Sequence, residues 1–579
     1  MKKILITISA LAMSVGLFAQ TQDSLLRRQM ELHREFNPTL QDADKINSLP
    51  ALPEPTVQKA NTNYSTWAER VAPPLEIAIP GPGNIMTDIP FSTKRGYLMF
   101  TAGNYANFNG ALGYRLVENE KHNLAFNFLH NSTNGEINYL QDVVGDGVSS
   151  NNAYMMDNKG QLTYKHLAEV LKLNMHLSYL NSRFNYYGNS FEHNRFFNDE
   201  NQRLGVMNAK VGIESMPSNL INYRGFIDFK NFSTKISENP LYEWMKGNEI
   251  HAMVGLDKPF SNTNNKIGVD GSILTTIYNG EADNYFLINA APYLYFGGLN
   301  HHAKLGADIL FQNAEKTKVR VVPNIDLRWG VTDHSSIYAK IHGGFKHNTY
   351  LDMMNESRYF LSYTPVRSAF SLIDLEAGTK IGEISGFRFD IFGGYSKTED
   401  EHFLLLNGND IVGGDIIAPF MESLKPIYGT LSHSYIGGMV QTNIWSPMNL
   451  SLRMKKNFYE TTEVVINDIN IENPEAYNKP GLEIDIKGTL ELISNLKLTL
   501  NYYFAGDRWT YLNIMGSTVN SGNIKMNNIN DLNLGGVYNI SDSFSLNVKA
   551  NNILSQKYDI WYGYPSQGIN VSGGFTFMF

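Results

Sequence analysis

Apolar and polar side chains alternate along this chain from Gly96 to the last residue, and this period of two constrains the fold more than any other feature. In the segment GLEIDIKGTLELI, Leu482 and Ile484 share one face of an extended strand, whereas Glu483 and Asp485 share the other. The segments LKLTLNYYF and FSLNVKAN repeat the pattern. A strand with one apolar and one charged face suits a barrel wall between lipid and a polar interior. The pattern predicts an all-β fold, a transmembrane antiparallel β-barrel.

Counting the alternating segments gives about twenty-two strands, an even number as in bacterial outer-membrane barrels. Every second connection is short, such as LAEV, GGLN and WSP, and the others contain all the long loops. Long loops are predicted over 132–159, 187–202, 347–370, 398–433, 460–479 and 514–529. Since such barrels turn tightly in the periplasm and loop widely outside, the C-terminus and the segment before the first strand are predicted to be periplasmic.

The N-terminal region differs from the rest of the chain. Its two lysines and an uncharged apolar run from Ile4 to Ala19 are typical of a secretory signal peptide. A short helical pattern then begins at Asp23, and seven prolines follow between Pro50 and Pro82, a density that favours extended conformation. We predict a signal peptide over 1–19, a periplasmic helix and proline-rich arm over 20–95, and the outer-membrane barrel over 96–579.

Composition excludes several classes of partner and site. A net charge of -8 provides no basic surface, so nucleic acid is not an expected partner. The absence of cysteine excludes structural disulfides and a lipidated N-terminus. The chain contains 32 Tyr and 32 Phe, residues that favour strands. A mean hydropathy of -0.27 is compatible with membrane insertion, because one face of each barrel strand is polar.

The charged side chains on the polar strand faces are the candidate functional residues. They are predicted to line the lumen: Arg224, Asp228, Lys230, Arg320, Asp326, Arg328, Lys340, Arg388, Asp390, Arg453, Lys455, Glu483, Asp485 and Lys487. An interior with both positive and negative side chains can hold a water-filled channel. The alternative, equally open at this point, is that opposite charges pair across strands and fill the interior with a network.

No catalytic set, cofactor site or metal site is expected. Histidines are spread over different strands, and the adjacent His301 and His302 would point to opposite faces of one strand. No serine elbow or phosphate-binding loop occurs. The acidic segments DVVGDG and NGNDIVGGD lack the ordered spacing of an EF-hand. We therefore expect a protein without enzymatic activity and without a cofactor.

The C-terminal segment NNILSQKYDIWYGYPSQGINVSGGFTFMF resembles the end of a TonB-dependent receptor barrel. In that family an asparagine and two apolar residues precede a tyrosine, matched here by Asn552 and Tyr558. A glycine-aromatic-proline turn then precedes the final strand, matched by Gly563, Tyr564 and Pro565. The resemblance covers the last thirty or so residues well, and extends back to about Gly96 only as strand spacing.

The same resemblance assigns a role to the aromatic residues of the last strand. Phe575, Phe577 and Phe579 recur at period two, and by resemblance they form the barrel assembly signal that the insertion machinery recognises. One feature of the family is missing. Receptors of this kind carry a plug of well over a hundred residues, whereas only 76 proline-rich residues lie between Gln20 and Arg95. The resemblance implies a barrel without the plug domain, so it does not extend to TonB coupling.

Two functions are compatible with these observations. The resemblance implies binding or porin-like transport of an unidentified solute across the outer membrane of a Gram-negative bacterium. The alternative is an anchor or subunit of an envelope complex, which docks a periplasmic or lipoprotein partner through the N-terminal arm. In both cases outer-membrane lipid and the barrel insertion machinery are expected partners.

Overall fold

The structure is a computed structural model that describes residues 94–579, with gaps at 141–149, 189–201, 218–219, 236–244, 261–263, 280–283, 299, 314–316, 362–363, 385, 407–409, 413–414, 418–422, 446, 467–468 and 513–521. The predicted signal peptide and all but the last two residues of the predicted arm lie outside the described residues, so the predicted domain division stays a prediction. Within the described part of the chain, no helix combines the length and apolar character needed to cross a membrane.

Strands make up most of the described chain. In order they are β1 (Gly96–Gly103), β2 (Asn107–Glu118), β3 (His122–Asn138), β4 (Ser150–Leu167), β5 (Leu171–Phe184), β6 (Gln202–Ser215), β7 (Asn222–Lys235), β8 (Lys246–Pro259), β9 (Lys266–Tyr278), β10 (Phe286–Gly297), β11 (His301–Asn313), β12 (Thr317–Thr332), β13 (Ser335–Lys346), β14 (Ala369–Ile384), β15 (Phe387–Leu406), β16 (Asp410–Val412), β17 (Asp415–Ile417), β18 (Leu424–Thr442), β19 (Met448–Thr462), β20 (Val465–Ile466), β21 (Ile469–Asn470), β22 (Leu482–Ile493), β23 (Leu496–Gly506), β24 (Trp509–Leu512), β25 (Gly522–Lys525), β26 (Ile529–Ser541), β27 (Phe544–Asn551), β28 (Asp559–Trp561), β29 (Tyr564–Pro565) and β30 (Asn570–Met578). A short helix, α1 (Tyr350–Glu356), lies between β13 and β14.

These strands form one closed barrel with small hairpins in its connections. Twenty-two strands pair in a single sheet, each antiparallel to its neighbours, and β1 pairs with β30 to complete the ring. The pairs β16–β17, β20–β21, β24–β25 and β28–β29 are separate hairpins. The predicted fold class and strand number are therefore confirmed. Because the ring is closed, the backbone N–H and C=O groups of the first and last strands are paired with each other, as a sheet in lipid requires.

The seam of the barrel joins the first strand to the last residue. The Gly96 amide donates to the Phe579 carbonyl at 2.8 Å, and the Phe579 amide donates back to the Gly96 carbonyl at 2.9 Å. The Phe579 ring stacks on Tyr114 with centroids 6.1 Å apart. A Cβ at position 96 would lie 2.6 Å from the Phe579 ring, so a larger residue there would displace this ring.

The two ends of the barrel differ. The turn end carries the short connections, such as 119–121 and 542–543, together with both chain ends of the sheet. The loop end carries the long ones, such as 347–368. Two predicted long loops, 132–159 and 398–433, are instead mostly strand, because ladder pairing continues beyond the predicted strand ends, for example between Asn138 and Ser150. Which end faces the periplasm stays a prediction.

The registers define the two faces of the sheet, because side chains directly opposite each other share a face. The apolar face is highly exposed: Val321 is 66% exposed, Ile227 59% and Val254 57%. Side chains so apolar and so exposed around a whole barrel are disfavoured in water and fit a lipid-facing surface. The opposite face points inward and carries the charged residues.

Candidate functional site in the barrel lumen

The charged residues predicted to line the lumen all lie on the face of the sheet opposite the exposed apolar side chains, and that they line a lumen stays a prediction. Their registers link them across strands: Asp326 lies opposite Lys340, Arg453 opposite Asp485, and Asp228 opposite His251. Four of these residues lie directly opposite a polar residue of the next strand: Lys230 opposite Glu249, Arg328 opposite His302, Lys340 opposite Glu376, and Arg388 opposite Gln441. That this face forms a solute path stays a proposal.

Near the turn end, Arg224 belongs to an ionic cluster whose residues lie on β7, β8, β9 and β11. Its Nη2 lies 2.6 Å from an Asp270 oxygen, and its Nη1 lies 3.7 Å from an Asp257 oxygen. Lys266 lies 3.3 Å from Asp257, and Lys304 lies 4.0 Å from Asp270. Three cations therefore surround two carboxylates. At this place the opposite charges pair across strands, as the second interpretation of the inner charges predicts.

On the opposite side of the barrel, predicted lumen residues pack on aromatic rings. Lys455 Nζ lies 4.4 Å from the Tyr435 ring centroid, and the Arg453 guanidinium lies 5.4 Å from the Phe392 ring. Lys455 is only 7% exposed, so its charge is held within the wall. Such contacts stabilise cations where water is scarce. The alternation placed these cations on the inner face, but it did not identify their aromatic partners.

Seven more of the predicted residues have specific side-chain partners. The pairs are Arg320 with Glu399 at 2.9 Å, Asp326 with His302 at 3.4 Å, Lys487 with Asp485 at 2.7 Å, Asp390 with the Tyr338 hydroxyl at 3.4 Å, Glu483 with Asn457 at 3.1 Å, and Asp228 with the Asn208 amide. Most of the predicted lumen charges are thus anchored to neighbouring strands. The inner face is polar and mixed in charge rather than dominated by one sign.

Above this charged wall, three chain segments meet across the loop end. They are residues 184–188 after β5, residues 350–361 between β13 and β14, and residues 558–565 between β27 and β30. We call them the three-loop closure. Their side chains form one buried cluster, in which Tyr186 is 1% exposed and Tyr564 is fully buried. The segments start from three different sectors of the ring.

The second segment begins with α1, which is fixed to the wall. Thr349 caps the helix, since its side chain accepts from the Asp352 amide and Asp352 reaches back to the Thr349 amide. Tyr350 packs edge-on against Tyr278 of β9 with centroids 4.9 Å apart. The Leu351 amide donates to the buried Glu249 carboxylate of β8 at 3.4 Å. The helix is thereby attached to the β8–β9 side.

The same segment then reaches the far wall. Arg358 makes two hydrogen bonds to Asp157 of β4, at 3.1 and 3.4 Å. In the ring of twenty-two strands, β4 and β13 lie nine positions apart (13 minus 4), and eleven is the largest separation possible. The Leu361 amide donates to the Leu424 carbonyl at 2.9 Å. This segment therefore crosses the mouth of the barrel.

Tyr359 joins the three segments. Its ring stacks on Tyr564 with centroids 3.9 Å apart and meets Tyr187 edge-on at 5.6 Å. Tyr187 and Tyr564 also contact each other at 5.0 Å. The Tyr186 hydroxyl donates to the Phe360 carbonyl at 3.2 Å. The closure is thus an aromatic junction with Tyr359 between the other two segments.

The third segment is held by a fully buried cation. Arg508 is 0% exposed, and its guanidinium donates to the carbonyls of Asp559, at 2.8 Å, and Ile560. Burial lowers the pKa of Arg508 to about 10, so the side chain stays protonated at neutral pH. The sequence analysis did not identify Arg508, because an arginine in a loop has no periodic pattern that would signal its burial.

The motif residues that carry the family resemblance shape this third segment. Asn552 adopts φ 47°, and its side-chain amide donates to the carbonyls of Gln556 and Gln567, each at 2.9 Å. Gly563 adopts φ +82°, and a Cβ there would lie 2.5 Å from the Gly188 carbonyl oxygen. The glycine is required both by the backbone angle and by the approach of the first segment.

Metal binding receives no support from the geometry. Among the residues that the structure describes, no group of three or more His, Cys, Asp or Glu side chains could hold a metal ion. His301 stacks on Trp329, whereas His302 approaches Asp326 on the other face of the strand.

The fold has counterparts among solved structures, although no family model and no characterised protein match the sequence. The ferric enterobactin receptor PfeA of Pseudomonas aeruginosa matches with a TM-score of 0.60 and 11% identity, covering 84% of this chain and 80% of that one. The siderophore receptor PirA of Acinetobacter baumannii matches at 0.59 and 9%, covering 84% and 80%. P. aeruginosa FpvA bound to pyoverdines matches at 0.58 and 10%, covering 84% and 72%. The chain therefore has the barrel fold of these siderophore receptors, closed here by twenty-two strands.

Proposed function

We propose that this chain is an outer-membrane barrel that binds a solute and passes it through its lumen, with access controlled by the three-loop closure. The observation that carries the proposal is the closed ring with an apolar outer surface and a charged inner wall. A polar interior of this kind surrounds a water-filled channel in some barrels and is blocked by loops in others, so removal of the three-loop closure is the decisive test.

The inner wall supports passage of a polar solute. Its charged side chains are mostly held by partners on neighbouring strands, as Arg224 is by Asp270 at 2.6 Å, so they remain in place when a solute moves past. Positive and negative groups are both present on the wall. This arrangement favours a solute that carries hydrogen-bonding groups over one that is purely apolar.

The structural neighbours support the same class of function. The matching receptors are named for ferric enterobactin, for a siderophore and for pyoverdines. Those names describe the neighbours, and the likeness in fold makes outer-membrane solute uptake the function to test first.

Planar-bilayer recording of the purified full-length protein tests the proposal. A matched variant replaces residues 348–361 with a short Gly-Ser linker, which removes the segment that crosses the mouth. We expect rare openings in the native protein and sustained conductance in the variant, while both show heat-modifiable migration. A folded variant that carries no current would contradict a lumen that conducts solutes.

Cysteine labelling tests the location and orientation, because the chain has no cysteine of its own. Asn473 is exposed at the loop end, and Asp542 is exposed at the turn end. On intact cells, a membrane-impermeant maleimide should label Asn473→Cys but not Asp542→Cys. The opposite result would place the loop end in the periplasm and reverse the proposed direction of transport.

A further inference from the structure

We infer that the three-loop closure is a gate whose release point is the Arg358–Tyr359 pair, an inference that rests on the proposed transport function. The segment 350–361 is anchored by buried apolar side chains at α1 and again at Phe360 and Leu361, which are 2% and 1% exposed. Between these two anchors, the tip formed by Arg358 and Tyr359 reaches across the mouth. Movement of this tip alone would free the far side of the mouth.

The helical end is attached mainly by buried apolar side chains. Tyr350, Leu351 and Met353 are each 1–2% exposed, and Met354 is 6% exposed. Detaching α1 would expose all of them to water at once, which burial of this extent opposes strongly. This end should therefore remain in place when the gate opens.

The tip is held to the far wall by an ion pair. The Arg358 and Asp157 side chains are 28% and 24% exposed, and the pair joins opposite sides of the barrel. The Ser182 hydroxyl donates to Asp157, and Arg358 lies 5.9 Å from the Phe184 ring centroid. A guanidinium and a carboxylate can exchange their mutual hydrogen bonds for those of water or of a charged solute, whereas the buried apolar side chains of the two anchors cannot.

Tyr359 couples this ion pair to the rest of the closure. It follows Arg358 in sequence, and its ring contacts Tyr187 of the first segment and Tyr564 of the third. If Arg358 leaves Asp157, Tyr359 loses the neighbour that orients it between those two rings. Release of one side chain would therefore loosen all three segments together, as a two-state gate requires.

Variants of the ion pair test the gate by single-channel recording. Arg358→Gln and Asp157→Asn should each raise the fraction of time open by about fivefold, the change expected from losing one partly exposed ion pair. Combining Asp157→Arg with Arg358→Asp restores a pair of opposite charges, and it should return the open fraction close to the native value.

The matched control is Lys456→Gln. Lys456 pairs with Asp507 at 3.0 Å, also at the loop end, with side chains 38% and 50% exposed. This pair joins β19 to the residue after β23, two positions round the ring, and does not cross the mouth. The open fraction should not change in this variant. An equal rise in Lys456→Gln would show a general effect of loop charge and overturn the inference.

A reversible cross-link gives an independent readout. In a variant combining Asp157→Cys with Arg358→Cys, a bis-methanethiosulfonate spacer should close the channel and a reducing agent should reopen it. Conductance that persists after cross-linking would overturn the gate. If the variant lacking 348–361 conducts while Arg358→Gln and Asp157→Asn behave like the native protein, the release point is wrong and the proposed function stands. If that variant is folded and silent, the proposed function itself fails.

Discussion

Replacing Phe579 with alanine should lower the stability of the barrel moderately and its assembly in cells severely. The substitution keeps the main-chain hydrogen bonds of the seam, in which Phe579 O accepts from Arg95 N at 2.7 Å and Gly96 N at 2.8 Å. It removes only the ring, which stacks on Tyr114 at 6.1 Å and on Phe577 at 5.8 Å. The ring and main-chain contributions can therefore be separated.

The expected loss follows from these contacts. An aromatic pair contributes about 0.5–1.5 kcal/mol beyond area burial, so losing two pairs should cost about 1–3 kcal/mol. Phe579 is 46% exposed, and a lipid tail can take the place of its ring at the surface. Loss of apolar burial therefore adds little to the loss of stability. Deleting Phe579 also removes the seam bonds, each worth about 0.5–1.5 kcal/mol, and should cost roughly 2 kcal/mol more.

Phe100→Ala is the matched control. The Phe100 ring also makes two aromatic contacts, with Phe108 at 6.5 Å and Phe575 at 6.3 Å, and it is 43% exposed, but it lies in β1, outside the C-terminal segment. Urea titration of folding into lipid vesicles should give similar losses for the two alanine variants. In cells, the amount of heat-modifiable barrel in the outer membrane should fall much further for Phe579→Ala.

Two results would refute this reasoning. Equal outer-membrane levels of the two alanine variants would mean that the terminal ring acts only through stability. If deletion of Phe579 left the level of folded barrel unchanged, the C-terminal aromatic residues would not be an assembly signal.

Three further predictions concern the arm, the lumen and the buried arginine. Deleting residues 23–87 should leave the folded barrel at its normal outer-membrane level, because all twenty-two strands lie after residue 95. Loss of the folded barrel would contradict the domain division. A change in conductance or in the recovery of partner proteins would assign the arm its role. Asp228→Cys in detergent-free vesicles should react with a water-soluble maleimide, whereas Ile227→Cys should not; equal labelling would contradict the assignment of the inner face. Arg508→Met removes two charge-assisted hydrogen bonds and should destabilise residues 558–565 by about 3–5 kcal/mol, seen as faster hydrogen exchange there with the barrel strands unchanged.

The alternation of side chains predicted the barrel and its two faces because strand orientation is a local property. Asp485 and Ile484 are neighbours in sequence, so in any extended strand they point to opposite sides. Short and long connections also alternate in the sequence itself. The glycine at position 563 was recognisable as part of a motif, and the structure adds the reason for it, a positive φ of +82°.

The strand ends at the loop end were less predictable. The segment 132–159 is mostly polar, and 398–433 has apolar runs such as Phe403–Leu406 without an alternation of two, yet they contain parts of β3, β4, β15 and β18. A strand that rises beyond the lipid needs no lipid-facing side, so its sequence does not keep the period of two. Only the ladder partner across the hairpin decides that such a segment is a strand.

By itself, the sequence determined that this chain forms a closed barrel with an apolar outside and a charged inside, since both follow from a repeat of two residues. The tertiary structure decided how the loop end is closed. Arg358 meets Asp157 across 201 residues of sequence, and Arg508 meets Asp559 across 51. Neither contact belongs to a repeat. Both exist only because the ring brings distant connections over one opening, where aromatic side chains from three loops bury one another.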